Sequence, residues 1–448
     1  METFEAKVKE VFQINELKDF QRESLAALLK RRDVFLSIKT GGGKSICYQG
    51  FHTAYNASFD DNNPISVLVV SPLLSIMHEQ CNSLNSLGFL SAFIGGENDD
   101  SILRNEMQFI FTSPESVLNG KWRDWVTNNS TIRLIAVDEA HTVLHWGESA
   151  SEEDPFRRWY GRLGELRSLV ECPVIMMTAT ANSAARKALQ RKFCMTDCLE
   201  IIENPDRNNI KLFLQCVKYN TPLENTFFFL ILMLKEKKEL CDRYLIFCPS
   251  IRTCSKLYTM FRIMFKENVK LIDHIEMYHS KTTDDVKQLV KEDMSKENGK
   301  IRILIATSAA GMGVNFKGVK YTINYGCPRD MDTFVQQYGR AGRDGGSAMS
   351  LLIYTKHDIK CIDDDMKLYV KNETICRREN ILSSYKSKPA MDRDMHMCCD
   401  ICDKKCHVKD CEKCSLAQHP YYKTQFPAFS SDSSSQDDHD LFTDSDWE

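Results

Sequence analysis

The chain has no run of 18 or more apolar residues, so it offers no segment of the kind that crosses a membrane as a helix. Its first residues, Met1-Glu-Thr-Phe-Glu-Ala-Lys7, lack the apolar core of a secretion signal. It shows no internal repeat and no clear basic import cluster. Beyond Lys423 it has no lysine or arginine, and Ser430 to Glu448 carries seven acidic residues. Setting those seven charges aside turns the net −4 of the 448 residues into +3 for residues 1–429. The body is therefore mildly basic, an excess too small to establish nucleic-acid binding by itself.

Cysteine, by contrast, is plentiful: there are 18. In a long chain without a secretion signal most are expected to be reduced thiols. Seven fall between Cys376 and Cys414, a density that points to metal chemistry.

Short apolar runs alternate with helix-like stretches. Strands are predicted at Val34–Ile38, Val67–Val70, Phe109–Thr112, Leu134–Val137 and Val174–Met177. After a connecting stretch near Asn204–Arg207 the rhythm resumes at Tyr244–Phe247, Ile301–Ala306 and Val319–Asn324. Such alternation implies parallel α/β sheets, and two blocks of this size imply two domains. The expected layout is a first domain over 1–203, a second over 204–356 and a small helical, cysteine-rich domain over 357–420. An acidic, disordered tail is expected over 421–448, with Ser and Asp dominating from about Gln425.

The run Asp33-Val-Phe-Leu-Ser-Ile38 leads into Lys39-Thr-Gly-Gly-Gly-Lys-Ser45 and then a helical segment. Strand, glycine-rich turn, Lys-Ser and helix form a phosphate loop. Thr40, Gly41, Gly42 and Gly43 let backbone N–H groups approach phosphates at a helix N-terminus. Lys44 reaches the β- and γ-phosphates and Ser45 holds Mg²⁺. The strict pattern has glycine at position 38, where this chain has Ile38. Further on, the strand Leu134–Val137 ends in Asp138-Glu139-Ala140-His141. A carboxylate at the carboxyl end of a parallel strand lies beside the phosphate loop. Asp138 is expected to hold Mg²⁺ and Glu139 to polarise the attacking water.

With these residues in place, the chain resembles the RecQ family of superfamily 2 helicases over roughly residues 10–405. The resemblance rests on Thr40-Gly-Gly-Gly-Lys-Ser-Ile-Cys-Tyr-Gln49, Val70-Ser-Pro-Leu-Leu-Ser-Ile-Met77, Thr112-Ser-Pro-Glu115 and Asp-Glu-Ala-His141. It continues through Thr178-Ala-Thr180, Ala310-Gly-Met-Gly-Val314 and Gln336-Gln-Tyr-Gly-Arg-Ala-Gly-Arg-Asp-Gly345. It implies two RecA-like parallel-sheet domains in tandem followed by a small helical zinc-binding domain, with ATP, Mg²⁺ and Zn²⁺ as ligands. Arg340 and Arg343 would then reach from the second domain to a triphosphate held by the first, and Gln336 would sit at the same interface. Lys18-Asp-Phe-Gln21 resembles the family's adenine-reading segment, although Gln13-Ile14 and Leu17 replace its usual glycine–aromatic pair and phenylalanine. Trp146, Phe156, Arg157 and Tyr160 match an aromatic loop that senses single-stranded DNA by stacking. About six extra residues, several acidic, separate Trp146 from Phe156 in this chain. The family's structural zinc site maps onto Cys376, His396, Cys399 and Cys402, with Cys398 as competitor for the place of His396. Cys406, Cys411 and Cys414 are left as free thiols or part of a second site.

The resemblance implies an ATP-dependent 3′–5′ DNA helicase, a monomer of the nucleus engaged in DNA repair and recombination. The alternative is a DNA-stimulated translocase that remodels nucleoprotein complexes with little strand separation. Too few residues follow Pro420 for the duplex-splitting winged helix that such proteins often carry. Leu441-Phe442 and Trp447, set among aspartates, are either a solvated tail or a partner-binding motif.

Overall fold

The structure, a computed structural model, describes residues 4–39, 41–59, 63–72, 74–145, 158–307, 316–389, 394–406, 408 and 411–423. Within them lie two fully parallel sheets. The first joins β1 (Asp33–Ser37), β2 (Ser66–Val70), β3 (Ser91–Phe93), β4 (Phe109–Thr112), β5 (Ile132–Val137), β6 (Val174–Thr178) and β7 (Cys198–Ile202). Their order across the sheet is β3-β4-β2-β5-β6-β1-β7. The second joins β8 (Ile210–Cys216), β9 (Arg243–Cys248), β10 (Ile275–Tyr278), β11 (Ile303–Thr307), β12 (Val319–Tyr325) and β13 (Ala348–Tyr354), in the order β10-β11-β9-β12-β13-β8.

Both sheets are covered on both faces, which is why their central strands read as unbroken apolar runs. In the first sheet Phe35, Leu68, Val70, Ile135 and Met176 enter one core while Val34, Leu36, Val67, Val69 and Met177 enter the other. The second sheet repeats this, with Tyr244 and Ile246 on one face and Leu245 and Phe247 on the opposite one. Charges at strand starts are buried with partners. Asp33 accepts from Arg167 at 2.8 Å and from the Val174 N–H at 2.9 Å. Arg243, 1% exposed, donates to the carbonyls of Lys296, Ile301 and Lys317.

The pairing of β5 and β1 with β6 brings Val137, Ser37 and Thr178 to one carboxyl edge, where ligands bind in open parallel sheets. Residues 203–209 connect the sheets.

The cysteine-rich region does not carry a core of its own. Cys376, Cys398, Cys399, Cys402, Tyr369 and Ile381 share one buried cluster with Ile210, Leu212, Phe334 and Leu352 of the second domain. The Leu212 N–H donates to the Cys398 carbonyl at 3.2 Å. Lys211, fully buried, pairs with Asp403 at 2.7 Å. The helix Arg377–Ser384 is fixed in turn by Arg378, which pairs with Asp206 and donates to the Ile210 carbonyl at 2.7 Å.

The expected start of a disordered tail at residue 421 needs correction. Tyr421 and Tyr422 belong to a short helix, Pro420–Lys423, whose rings pack on Phe229 and Phe213, and the Tyr422 hydroxyl donates to the Leu214 carbonyl at 3.1 Å. Two tyrosines at its start give the segment apolar rings to bury; residues 424–448 lie outside the described residues.

Candidate nucleotide site and cysteine clusters

The phosphate loop leaves β1 at Ser37 and enters the helix Ile46–Ser58 at Ser45. Gly41 and Gly43 take φ of +79° and +93°, values that side chains resist. A Cβ on Gly42 would lie 2.6 Å from Ile38 Cγ2, so Ile38 and Gly42 are fitted to each other. The loop is braced from the helix Asp19–Leu29. Gln21 Nε2 donates to the Gly43 carbonyl at 2.8 Å, and its Oε1 accepts from the Lys18 N–H at 2.9 Å. Lys18 Nζ donates to the Gly42 carbonyl at 2.7 Å. Both residues expected to read adenine thus hold the loop backbone. Lys44 Nζ donates to the Ile38 carbonyl at 2.9 Å. Thr40 lies outside the described residues.

Asp138 and Glu139 follow β5 directly. Burial, and then the neighbouring Glu139, push the Asp138 carboxyl up to about 6, while Lys44 pulls the other way. A buried carboxylate this reluctant to ionise, facing the lysine of a phosphate loop, fits a divalent cation as counter-charge. Glu139 has φ +47°, a left-handed conformation that turns the chain sharply out of the strand. Its carboxylate lies 3.4 Å from His141 Nδ1, and the same nitrogen lies 3.1 Å from Thr178 Oγ1. Thr178 Oγ1 donates to the Thr180 carbonyl at 2.8 Å.

From the second domain, Gln336 Nε2 donates to Thr180 Oγ1 at 3.1 Å. Gln336 lies on the helix Met331–Tyr338, capped by Asp330, whose Oδ1 accepts the Thr333 N–H at 2.7 Å. Past that helix, Arg340 and Arg343 share a cavity with Glu139, Thr180, Arg207 and Gln336. Burial lowers Arg340 to about 10, an effect that Glu139 partly offsets. Burial, then Arg340 and Arg207, lower Arg343 to about 9. Crowded cations of this kind suit a polyanion.

Arg207 is the residue that sequence reasoning missed. It donates to the carbonyls of Gly339, Ala341 and Gly342 at 3.1, 3.1 and 2.7 Å, and so fixes the arginine-bearing turn. Its signal was only its place in the connecting stretch Asn204–Arg207.

Of the expected aromatic loop, Trp146, Phe156 and Arg157 lie outside the described residues, as does Ala310–Val314. Tyr160 is described, and it corrects the expectation. It is 1% exposed and sits in the first-domain core beside Leu163 and Val143, because the short helix Arg158–Gly161 turns it inward. It is not available for stacking on a base.

The expected metal set also changes. Cys376, Cys398, Cys399 and Cys402 converge, all buried. Cys376 Sγ lies 3.4 Å from Cys398 Sγ and 4.0 Å from Cys399 Sγ, and Cys399 Sγ lies 3.5 Å from Cys402 Sγ. A tetrahedral zinc–thiolate centre with bonds of about 2.3 Å has edges of about 3.8 Å, so the four fit that metal. His396 is not among them. It sits one residue before the end of the 3₁₀ turn Met395–Met397 and faces Cys406, Cys411 and Cys414 instead.

Two parallel α/β sheets with candidate half-sites meeting across a cleft define the class: two RecA-like domains in tandem. The pattern of DEAD/DEAH box helicases matches residues 18–188, and that of the helicase conserved C-terminal domain matches residues 226–345. The chain is 28% identical over 360 residues to "ATP-dependent DNA helicase RecQ" of Haemophilus influenzae, covering 78% of this chain and 53% of that protein. It is 26% identical to "ATP-dependent DNA helicase Q1" of Mus musculus, covering 92% and 63%. Against "ATP-dependent helicase wrn-1" of Caenorhabditis elegans it is 26% identical, covering 88% and 38%. The chain thus spans between about a third and two thirds of these relatives' length. Among solved structures, the DUF1998 helicase MrfA bound to DNA superposes with a TM-score of 0.63 at 16% identity, over 80% of this chain and 52% of that one. Mss116p bound to single-stranded RNA and AMP-PNP superposes with 0.60 at 17% identity, over 83% and 74%. The two helicase patterns, together with RecQ-named relatives that match most of the chain, support assignment to the RecQ family of superfamily 2 helicases. Helicase domains of these two kinds imply ATP and Mg²⁺. Among the described residues no helix is long and apolar enough to cross a membrane.

Proposed function

We propose that this chain is the motor of an ATP-dependent DNA helicase that moves 3′ to 5′ and separates strands, working in the nucleus. The observation that carries the reading is the shared cavity in which Glu139 of the first domain meets Arg340 and Arg343 of the second. Lys44 and Ser45 hold the phosphates; Asp138 and Ser45 hold Mg²⁺, which when bound neutralises phosphate charge. Glu139 orients and polarises the attacking water, held to its task by His141 and Thr178. Arg340 and Arg343 stabilise charge that develops on the transferred phosphoryl group. Cys376, Cys398, Cys399 and Cys402 hold a zinc that locks the helical region onto β8 and contributes folding energy.

DNA as substrate, the direction of travel and the nuclear setting rest on resemblance to RecQ relatives. One observation favours the alternative, a DNA-stimulated translocase with little strand separation: Tyr160, a member of the expected base-stacking set, is buried. ATPase activity with and without single-stranded DNA, run beside displacement assays on 3′-tailed, 5′-tailed and forked duplexes, tests both. Displacement of 3′-tailed duplexes supports the helicase. DNA-stimulated ATPase without displacement supports the translocase, and no DNA stimulation at all overturns both.

A further inference from the structure

The described residues hold a second convergence of metal-binding side chains, apart from the buried four-cysteine group. His396, Cys406, Cys411 and Cys414 place one donor atom each within 4.8 Å of one another. His396 Nδ1 lies 3.1 Å from Cys414 Sγ and 3.7 Å from Cys411 Sγ. Zn–S bonds of about 2.3 Å and Zn–N bonds of about 2.0 Å give a tetrahedron edges of about 3.5–3.8 Å, and both His396 distances lie within a few tenths of an ångström of the N–S edge.

Packing does not account for this convergence. The buried four belong to an apolar cluster, whereas Cys406, Cys411 and Cys414 belong to none and are only half-buried. Disulfide pairing does not account for it either, since three thiols leave one over and give the imidazole no part. The local chain is also shaped for a metal. Cys411 precedes the short helix Glu412–Leu416 and Cys414 lies in its first turn, so the two-residue spacing brings both thiols to one side.

We propose that His396, Cys406, Cys411 and Cys414 form a second zinc site, a Cys₃His centre beside the four-cysteine one. Binding converts three thiols to thiolates, releases their protons, and leaves the imidazole neutral with Nδ1 as ligand. The site closes the chain between residues 396 and 414. It thereby fixes the start of the segment in which His419, Tyr421 and Tyr422 pack against Phe213 and Phe229. The inference does not depend on the helicase reading or on metal in the buried group.

The test is zinc content per full-length chain by mass spectrometry, on protein purified without chelators. Two zinc ions are expected, falling to one in Cys411→Ser/Cys414→Ser, whereas Cys399→Ser should remove the other. A single zinc in the unmutated chain that only Cys399→Ser removes overturns the second site. A single zinc that only the Cys411/Cys414 variant removes supports it and rejects the buried one. Where a variant fails to fold, Co²⁺ titration of the unmutated chain decides. Two successive visible spectra, one of four-thiolate and one of three-thiolate–imidazole type, are expected; a four-thiolate spectrum alone overturns the proposal.

Discussion

Glu139 stands in a strained backbone conformation with its carboxylate beside His141, lining a cavity with Arg340. Such strain persists where the surroundings over-determine it and the position matters chemically. Replacing Glu139 by Gln should leave nucleotide binding intact and abolish turnover; unchanged turnover would remove Glu139 as the base. Arg340→Ala should lower kcat by about 10³-fold, the smaller end of what such arginines contribute. Even with its pKa lowered to about 10, Arg340 is charged at neutral pH. Asp138 makes a pH prediction. Its raised carboxyl stabilises the fold below the usual carboxylate range, and that contribution is lost as pH rises through about 6. Asp138→Asn should therefore raise the melting temperature at pH 7.5 while removing Mg²⁺-dependent ATPase. In the unmutated chain, Mg²⁺ affinity should fall as pH drops through about 6, read by calorimetry. A melting temperature lowered by the asparagine would contradict the burial argument. At this scale the grouping was legible: Glu139 shares a cavity with the two arginines and Asp138 faces Lys44, in keeping with the few side chains that phosphate chemistry admits. His396 was assigned to the wrong group because adjacent cysteines at 398 and 399 leave the spacing ambiguous. In the structure Cys398 closes the 3₁₀ turn, and its thiol and that of Cys399 both lie near Cys376.

Among the elements, the eight strands foreseen in the sequence are interior strands with apolar residues on both faces. The four edge strands, β3, β7, β8 and β10, were not foreseen. An edge strand has one neighbour and mixed composition: β7 is only half-buried, and β10 carries Glu276. β8 hid its character behind Lys211, which reads as a surface residue until Asp403 is found beside it. The interior strand β13 was also missed, although all but its last residue are buried. The Lys211–Asp403 pair yields an asymmetric prediction. Asp403→Ala leaves a fully buried ammonium without its counter-charge and should cost about 3–5 kcal/mol of local stability. Lys211→Met substitutes an apolar chain of similar length, and Asp403, 20% exposed, can turn to water, so its cost should be well below that. Hydrogen exchange of the β8 amides measures both; equal costs would mean that the pair is not what anchors this edge.

Across the whole molecule, three modules meet near one helix. Gln336 on Met331–Tyr338 bonds Thr180 of the first domain, and Asp332, on the same helix, accepts from the Asn182 N–H at 3.3 Å and from the Tyr385 hydroxyl of the helical region. Thr180 continues through Thr178 to His141 and Glu139. One route from the second domain to Glu139 thus runs through the Gln336–Thr180 hydrogen bond. Removing a single neutral hydrogen bond costs about 0.5–1.5 kcal/mol, which is about a 2- to 13-fold change in rate. Gln336→Ala should lower the DNA-stimulated ATPase rate by that factor and leave nucleotide affinity little changed, because among the described residues its side chain bonds Thr180 and not the phosphate loop. Thr180→Ala should do the same. The double variant should be no slower than either single one, since both substitutions remove one bond. Multiplicative losses would mean that the two residues act separately and that closure is communicated elsewhere, with the turn held by Arg207 the next place to look.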